Sequence, residues 1–172
     1  MDESIIGRIQ SFKKWFEGYE NNFVIIGGTA CSLIMSEEEV DFRLTKDVDM
    51  VLLIEALNAD FGKRFWEYIL EAEYQHCQKS TGKSQFYRFY APKSKEYPEM
   101  LELFSRHIEG LILPEDAVIT PVPIGDDISS LSAILLNDEY YDFLLNGVRK
   151  IEGLPVLNEL HVFVKRKMVH WL

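Results

Sequence analysis

The sequence predicts an α+β fold, a mixed and twisted β-sheet with α-helices packed on it, in a single domain over residues 1–172. Three observations lead there. Apolar runs such as Phe23-Val24-Ile25-Ile26, cut off at once by Gly27-Gly28, have the length and abrupt end of buried strands. Longer stretches carry apolar residues three and four apart, the spacing of a helix with one face to cover. A chain of 172 residues, 47% hydrophobic and 13% aromatic, can bury a core of its own.

Taken in order, Ile5, Ile6, Ile9, Phe12, Phe16 and Tyr19 mark an amphipathic helix, capped by Asp2 or Ser4 and ended by Asn21-Asn22. The strand at residues 23–26 and its glycine turn lead into an apolar helix from Thr29 to Met35, in which Cys31 reads as a small core residue. Residues 36–41 form an acidic, solvated loop, and residues 43–51 the next strand. Leu57, Phe61, Phe65, Ile69 and Ala72 define a second long helix, capped by Asn58 or Asp60, with Trp66 and Leu70 widening its apolar face. Strands follow at residues 84–90 and 98–105, the latter near Phe23 and Asp47 at the centre of the sheet. Pro114, Pro121 and Pro123 cut the next region into short extended pieces. A strand at 129–136, a helix at 138–145 ended by Asn146-Gly147, a short strand pair at 149–156 and a basic helix at 160–172 complete the chain.

The chemistry concentrates between Phe23 and Val51. Glycine permits positive φ and close approach of the backbone, and a helix N-terminus just beyond it aims N–H groups at the same point, which suits phosphate. Asp47 and Asp49 are two apart on a strand and share a face, with Val48 and Met50 on the other. Paired carboxylates beside a phosphate cradle suit Mg²⁺, which takes one or two carboxylates plus phosphate oxygens. Alone, a Gly-Gly pair is usually a turn, and Asp-x-Asp is common on solvated strands; their order along the chain gives them weight. Glu102 sits between apolar neighbours, on a face with Met100 and Phe104, where a lone carboxylate is costly unless paired or metal-bound.

Gly27-Gly28-Thr29-Ala30 followed by Arg43-Leu44-Thr45-Lys46-Asp47-Val48-Asp49 resembles the nucleotidyltransferase superfamily, and most of all its AbiEii-type branch of abortive-infection and toxin–antitoxin toxins. The resemblance is strongest over residues 23–51 and weaker from Met100 onward. It implies a nucleotidyltransferase-like sheet and transfer of a nucleoside monophosphate from a nucleoside triphosphate to an acceptor, an RNA end such as tRNA or a protein. It further implies Mg²⁺ or Mn²⁺ held by Asp47, Asp49 and Glu102, with Glu102 standing where relatives more often have Asp and Glu99 the weaker candidate. Gly27, Gly28, Thr29, Thr45, Lys46 and Lys165 are implied nucleotide contacts, Lys167 being the second match for Lys165, and an antitoxin protein is an implied partner. Relatives continue into a further helical region that is short or missing here. The alternative is a catalytically inactive protein of the same fold, serving as a nucleotide-binding or protein-interaction module.

Composition narrows the partners. A net charge of −10 argues against broad binding to a nucleic-acid backbone. Residues 76–95 run against this trend: Lys79, Lys83, Arg88, Lys93 and Lys95 interleave with Phe86, Tyr87, Phe89 and Tyr90. That pattern suits either an acceptor nucleic acid or, more simply, a strand with buried rings and one wet face. Cys31 and Cys77 fit no metal or redox spacing. The acidic start Met1-Asp2-Glu3-Ser4 lacks a signal-peptide layout and no apolar run reaches membrane-spanning length, so a cytoplasmic protein is expected.

Overall fold

A computed structural model describes residues 3–40, 45–78, 84–113, 115–125 and 131–158. In chain order its elements are α1 (Glu3–Trp15), β1 (Phe23–Ile26), α2 (Gly27–Glu37), β2 (Asp47–Leu52), α3 (Ala59–Glu71), β3 (Gln75–Gln78), β4 (Ser84–Tyr90), β5 (Met100–Arg106), β6 (Ile119–Val122), β7 (Leu131–Leu136), α4 (Asp138–Leu145), β8 (Val148–Ile151) and β9 (Leu154–Leu157). The strands form one mixed sheet in the order β3-β4-β5-β2-β1-β9-β8, with β7 beside β5 and β6 beside β7. The expected α+β architecture is present, and β1, β2 and β5 are adjacent at its centre.

Period-two alternation decides what each face of this centre carries. Phe23 and Ile25, Val48, Met50 and Leu52, Leu101 and Leu103, and Phe89 point to one face and meet Phe12 and Phe16 of the α1 segment and Phe61, Phe65 and Tyr68 of α3. Ala30 and Ile34 of α2 join the same core. Its heart is aromatic: Phe16 lies 4.7 Å from Phe12, 5.8 Å from Phe23 and 5.2 Å from Tyr68, centroid to centroid. The opposite face carries Val24, Ile26, Val51 and Leu157, covered by Tyr141 and Leu144 of α4. Among the described residues no other helix packs there. Asp47, Asp49 and Glu102 belong to this second face, beyond the reach of α4, and stay half-buried.

α4 is tied down by polar contacts as well as by its apolar side. The Tyr141 hydroxyl donates to Glu55 Oε2 at 2.7 Å, and Arg106 donates to Glu55 Oε1 through Nε at 2.8 Å and Nη2 at 2.6 Å. Asn137 caps the helix by accepting from the N–H groups of Glu139 and Tyr140.

Several expectations need correction. α1 ends at Trp15, not at Asn21-Asn22: Gly18 takes φ +90°, which interrupts the helical ladder, while Phe16 still reaches the core from the turn. Ser4 lies inside α1 and is not its cap, and Asp2 falls outside the described residues. α2 begins at Gly27, two positions before Thr29. Cys31 is only half-buried, because Ala30 and Ile34 take the inward positions of α2. Leu70 does not widen the apolar face of α3; it is 72% exposed, since one residue beyond Ile69 the helix has turned about 100° away. The cap of α3 is Asn58, whose side chain accepts from the Phe61 N–H at 2.9 Å. The polar strand β3 had no apolar signal to announce it. Among the described residues, no helix is long and apolar enough to cross a membrane.

Candidate functional site

The central strands bring the sequence motifs into one transverse row. β1 and β2 are antiparallel with Ile26 opposite Asp49, and β2 and β5 are parallel with Asp49 opposite Glu102. β4 runs antiparallel to β5 with Arg88 opposite Glu102. Partners in register share a face, so the row reads glycine turn, Asp49, Glu102, Arg88. Asp47 lies one step along β2, opposite Met100.

The glycine turn is shaped around the carboxylate. Gly27 has φ +69°, and a Cβ built on it would collide with Oδ2 of Asp49. Asp49 is thereby seated at the N-terminus of α2, where the helix dipole favours negative charge. Gly28 plays the same part for Thr45, whose methyl would meet an added Cβ. Gly27→Ala is therefore expected to destabilise the fold by about 2 kcal/mol, combining left-handed strain with displacement of Asp49. Urea unfolding measures this, and a change within about 0.5 kcal/mol would contradict the packing described.

The threonines serve the loop geometry. Thr29 is 2% exposed; its Oγ1 donates to the carbonyl of Asp47 at 2.5 Å and lies 3.0 Å from Oγ1 of Thr45. Their hydroxyls fasten the start of β2 to the start of α2, holding Asp47 and Asp49 beside the turn.

On the other flank, Lys46 pairs with Glu99 at 3.1 Å, and the Glu99 N–H donates to the Lys46 carbonyl at 2.8 Å. Arg8, only 3% exposed, reaches the same Glu99 at 3.4 Å and donates through Nε to the carbonyl of Lys95 at 2.7 Å. Lys46 holds the Glu99 carboxyl below its ordinary range. Glu99 thus anchors Lys46 beside the site. Neither Arg8 nor this bridge was visible as part of the site in the sequence, because Arg8 lies on α1, far away along the chain.

Charge is crowded around Asp47. Burial raises its carboxyl above the ordinary value of 3.8, and the nearby negative charges of Glu99 and Glu102 raise it further, outweighing Lys46 and Arg8. A cation placed here would relieve that repulsion. The donors are hard oxygens on one face of adjacent strands, so Asp47 and Asp49 fit a Mg²⁺- or Mn²⁺-type ion in their chemistry. The third carboxylate is engaged: Arg88 Nε donates to Glu102 Oε2 at 2.5 Å. Among the described residues, no group of three or more His, Cys, Asp or Glu side chains is assembled to hold a metal.

Arg88 was noticed in the sequence only as one member of a basic, aromatic stretch. What places it opposite Glu102 is the regular antiparallel pairing of β4 with β5; on the other edge of β4, His76 pairs with Phe89 yet Cys77 pairs with Gln85, so β4 bulges against β3 across 86–88. Bulges re-aim side chains and often lie beside functional sites. Phe86 turns to Trp66 and His76, and Phe89 to Phe65, so these rings serve packing. Lys165 and Lys167, and Lys79 and Lys83, lie outside the described residues.

Comparison of the chain with family models, with curated proteins and with solved structures returns no match.

Proposed function

We propose that this protein is a metal-dependent nucleotidyltransferase of the AbiEii-like kind, with a nucleotidyltransferase-like fold. The observation that carries the reading is the row across three adjacent strands, in which a positive-φ glycine turn and helix N-terminus stand beside Asp49 and Asp49 stands beside Glu102. The resemblance of the Gly27-Gly28 and Asp47-Val48-Asp49 motifs to that superfamily supports it.

In the proposed reaction an acceptor hydroxyl attacks the α-phosphate of a nucleoside triphosphate. The new P–O bond forms as the bond to pyrophosphate breaks, and the hydroxyl proton passes to a base; Glu102 would either be that base or complete the metal position beside Asp47 and Asp49. Asp47 and Asp49 would hold Mg²⁺ or Mn²⁺, which when bound supplies Lewis-acid stabilisation of phosphate charge. The backbone at Gly27 and Gly28 lines the phosphate side, and Lys46, half-exposed and steadied by Glu99, offers a positive charge to the leaving group. Positioning and electrostatics carry such chemistry. A cytoplasmic location and an RNA-end or protein acceptor complete the proposal.

A second reading has an observation in its favour. Arg88 occupies Glu102, and the hydroxyls of Thr29 and Thr45 are turned inward to the loop. Such a site would suit an inactive relative that binds nucleotide, or binds a protein partner, without turnover.

Calorimetric titration with each of the four nucleoside triphosphates, with and without Mg²⁺, tests the first step. Metal-dependent binding that the Asp47→Ala/Asp49→Ala double variant loses is the expected result. No binding to the wild-type chain sinks the transferase. Transfer of label from an α-labelled triphosphate then separates the enzyme from the inactive binder.

A further inference from the structure

Glu102 is 13% exposed as a side chain and stands between Asp49 on one strand and Arg88 on the other. A carboxylate so placed needs a positive neighbour, because desolvation and the adjacent Asp49 both penalise its charge. Arg88 supplies it from the bulge of β4, through a short charge-assisted hydrogen bond. A divalent cation on Asp47 and Asp49 would offer Glu102 a second, stronger positive partner. The two cations then compete for one carboxylate.

We propose that the Arg88–Glu102 pair is a latch that regulates metal access to this site; the inference rests on the nucleotidyltransferase reading above. With the latch closed, Glu102 is spent on the guanidinium and the site offers a cation only Asp47 and Asp49. Opening hands Glu102 to the metal and frees Arg88, which is 40% exposed and so able to swing outward, to meet a phosphate of the incoming substrate. The exchange keeps both charges paired before and after. Arg88 here is a positioning residue: it acts on the metal through Glu102.

The test uses Mn²⁺ alone as the probe, with the whole chain and no nucleotide, followed by electron paramagnetic resonance of the free ion. Arg88→Met is expected to bind Mn²⁺ about tenfold more tightly than wild type, the scale of one charge-assisted hydrogen bond discounted for solvent screening. Arg88→Met/Glu102→Gln is expected to lose that gain. Equal or weaker affinity in Arg88→Met, with binding still abolished by Asp47→Asn/Asp49→Asn, overturns the latch and leaves the metal site standing. No Mn²⁺ binding by any of these proteins overturns both. A second measurement needs no substitution at Arg88. The Nε–H resonance of Arg88 in the wild-type ¹H–¹⁵N spectrum is expected to shift saturably as Mg²⁺ is added, and to stay fixed in Asp47→Asn/Asp49→Asn. A signal that does not move while Mg²⁺ binds counts against the latch.

Discussion

If the proposed nucleotidyl transfer is this protein's activity, Asp47→Asn is expected to reduce it roughly a thousandfold or more, while leaving the metal-free protein slightly more stable than wild type. The first effect is the scale of removing one preorganised electrostatic group from a reacting centre. The second follows from the raised carboxyl of Asp47, set by burial and by Glu99 and Glu102. A group whose folded-state pKa lies above its unfolded value binds its proton more tightly when folded. Below the ordinary value of 3.8 it makes no difference to stability; the penalty develops as pH rises from 3.8 to the raised value, and above that it is complete. Asn carries no charge and escapes it. Because part of the carboxylate faces water, the gain in Tm at pH 7 is modest, roughly 1–3 °C, and it vanishes at about pH 3, below the ordinary value. Scanning calorimetry with a chelator present, at both pH values, reads the stability; α-labelled triphosphate reads the activity. Full activity in the variant removes Asp47 from the site, and a lower Tm at pH 7 refutes the charge-crowding account.

Phe16→Ala is expected to give the largest loss of stability of any single change considered, about 3–5 kcal/mol. Phe16 is 1% exposed and touches Phe12, Phe23, Phe61, Phe65 and Tyr68 within 6.2 Å between ring centroids. It joins the α1 segment, β1 and α3, so the void left by its ring cannot close without moving three elements that also pack on one another. Against a total stability of about 5–15 kcal/mol for a domain of this kind, the variant should unfold at markedly lower urea with little change in slope. A loss below about 1 kcal/mol would mean the aromatic cluster is looser than its geometry implies.

These two residues also mark different depths of legibility. Phe16 was readable from spacing alone, because an apolar residue on a 3.6-residue period has one place to go. Leu70 obeyed the same composition and came out exposed, since one position off the stripe suffices to turn a side chain to water. Helix and strand bounds failed where backbone conformation intervened, as at Gly18. The carboxylates were legible because a strand alternates, which put Asp47 and Asp49 on one face and Glu102 on a face with Met100 and Phe104.

The sequence by itself determined the α+β class, the central strands at Phe23, Asp47 and Met100, and the aromatic stripe that buries one face of the sheet. These depend on local periodicity, which neighbouring residues carry among themselves. Tertiary structure alone decided that Asp49 stands opposite Glu102, that Arg88 completes the row, and that buried Arg8 steadies Lys46 through Glu99. Those relations depend on strand order and register, and each joins residues that the chain holds far apart. Such pairings are selected by the whole sheet's packing and leave no trace in the spacing of the residues that make them.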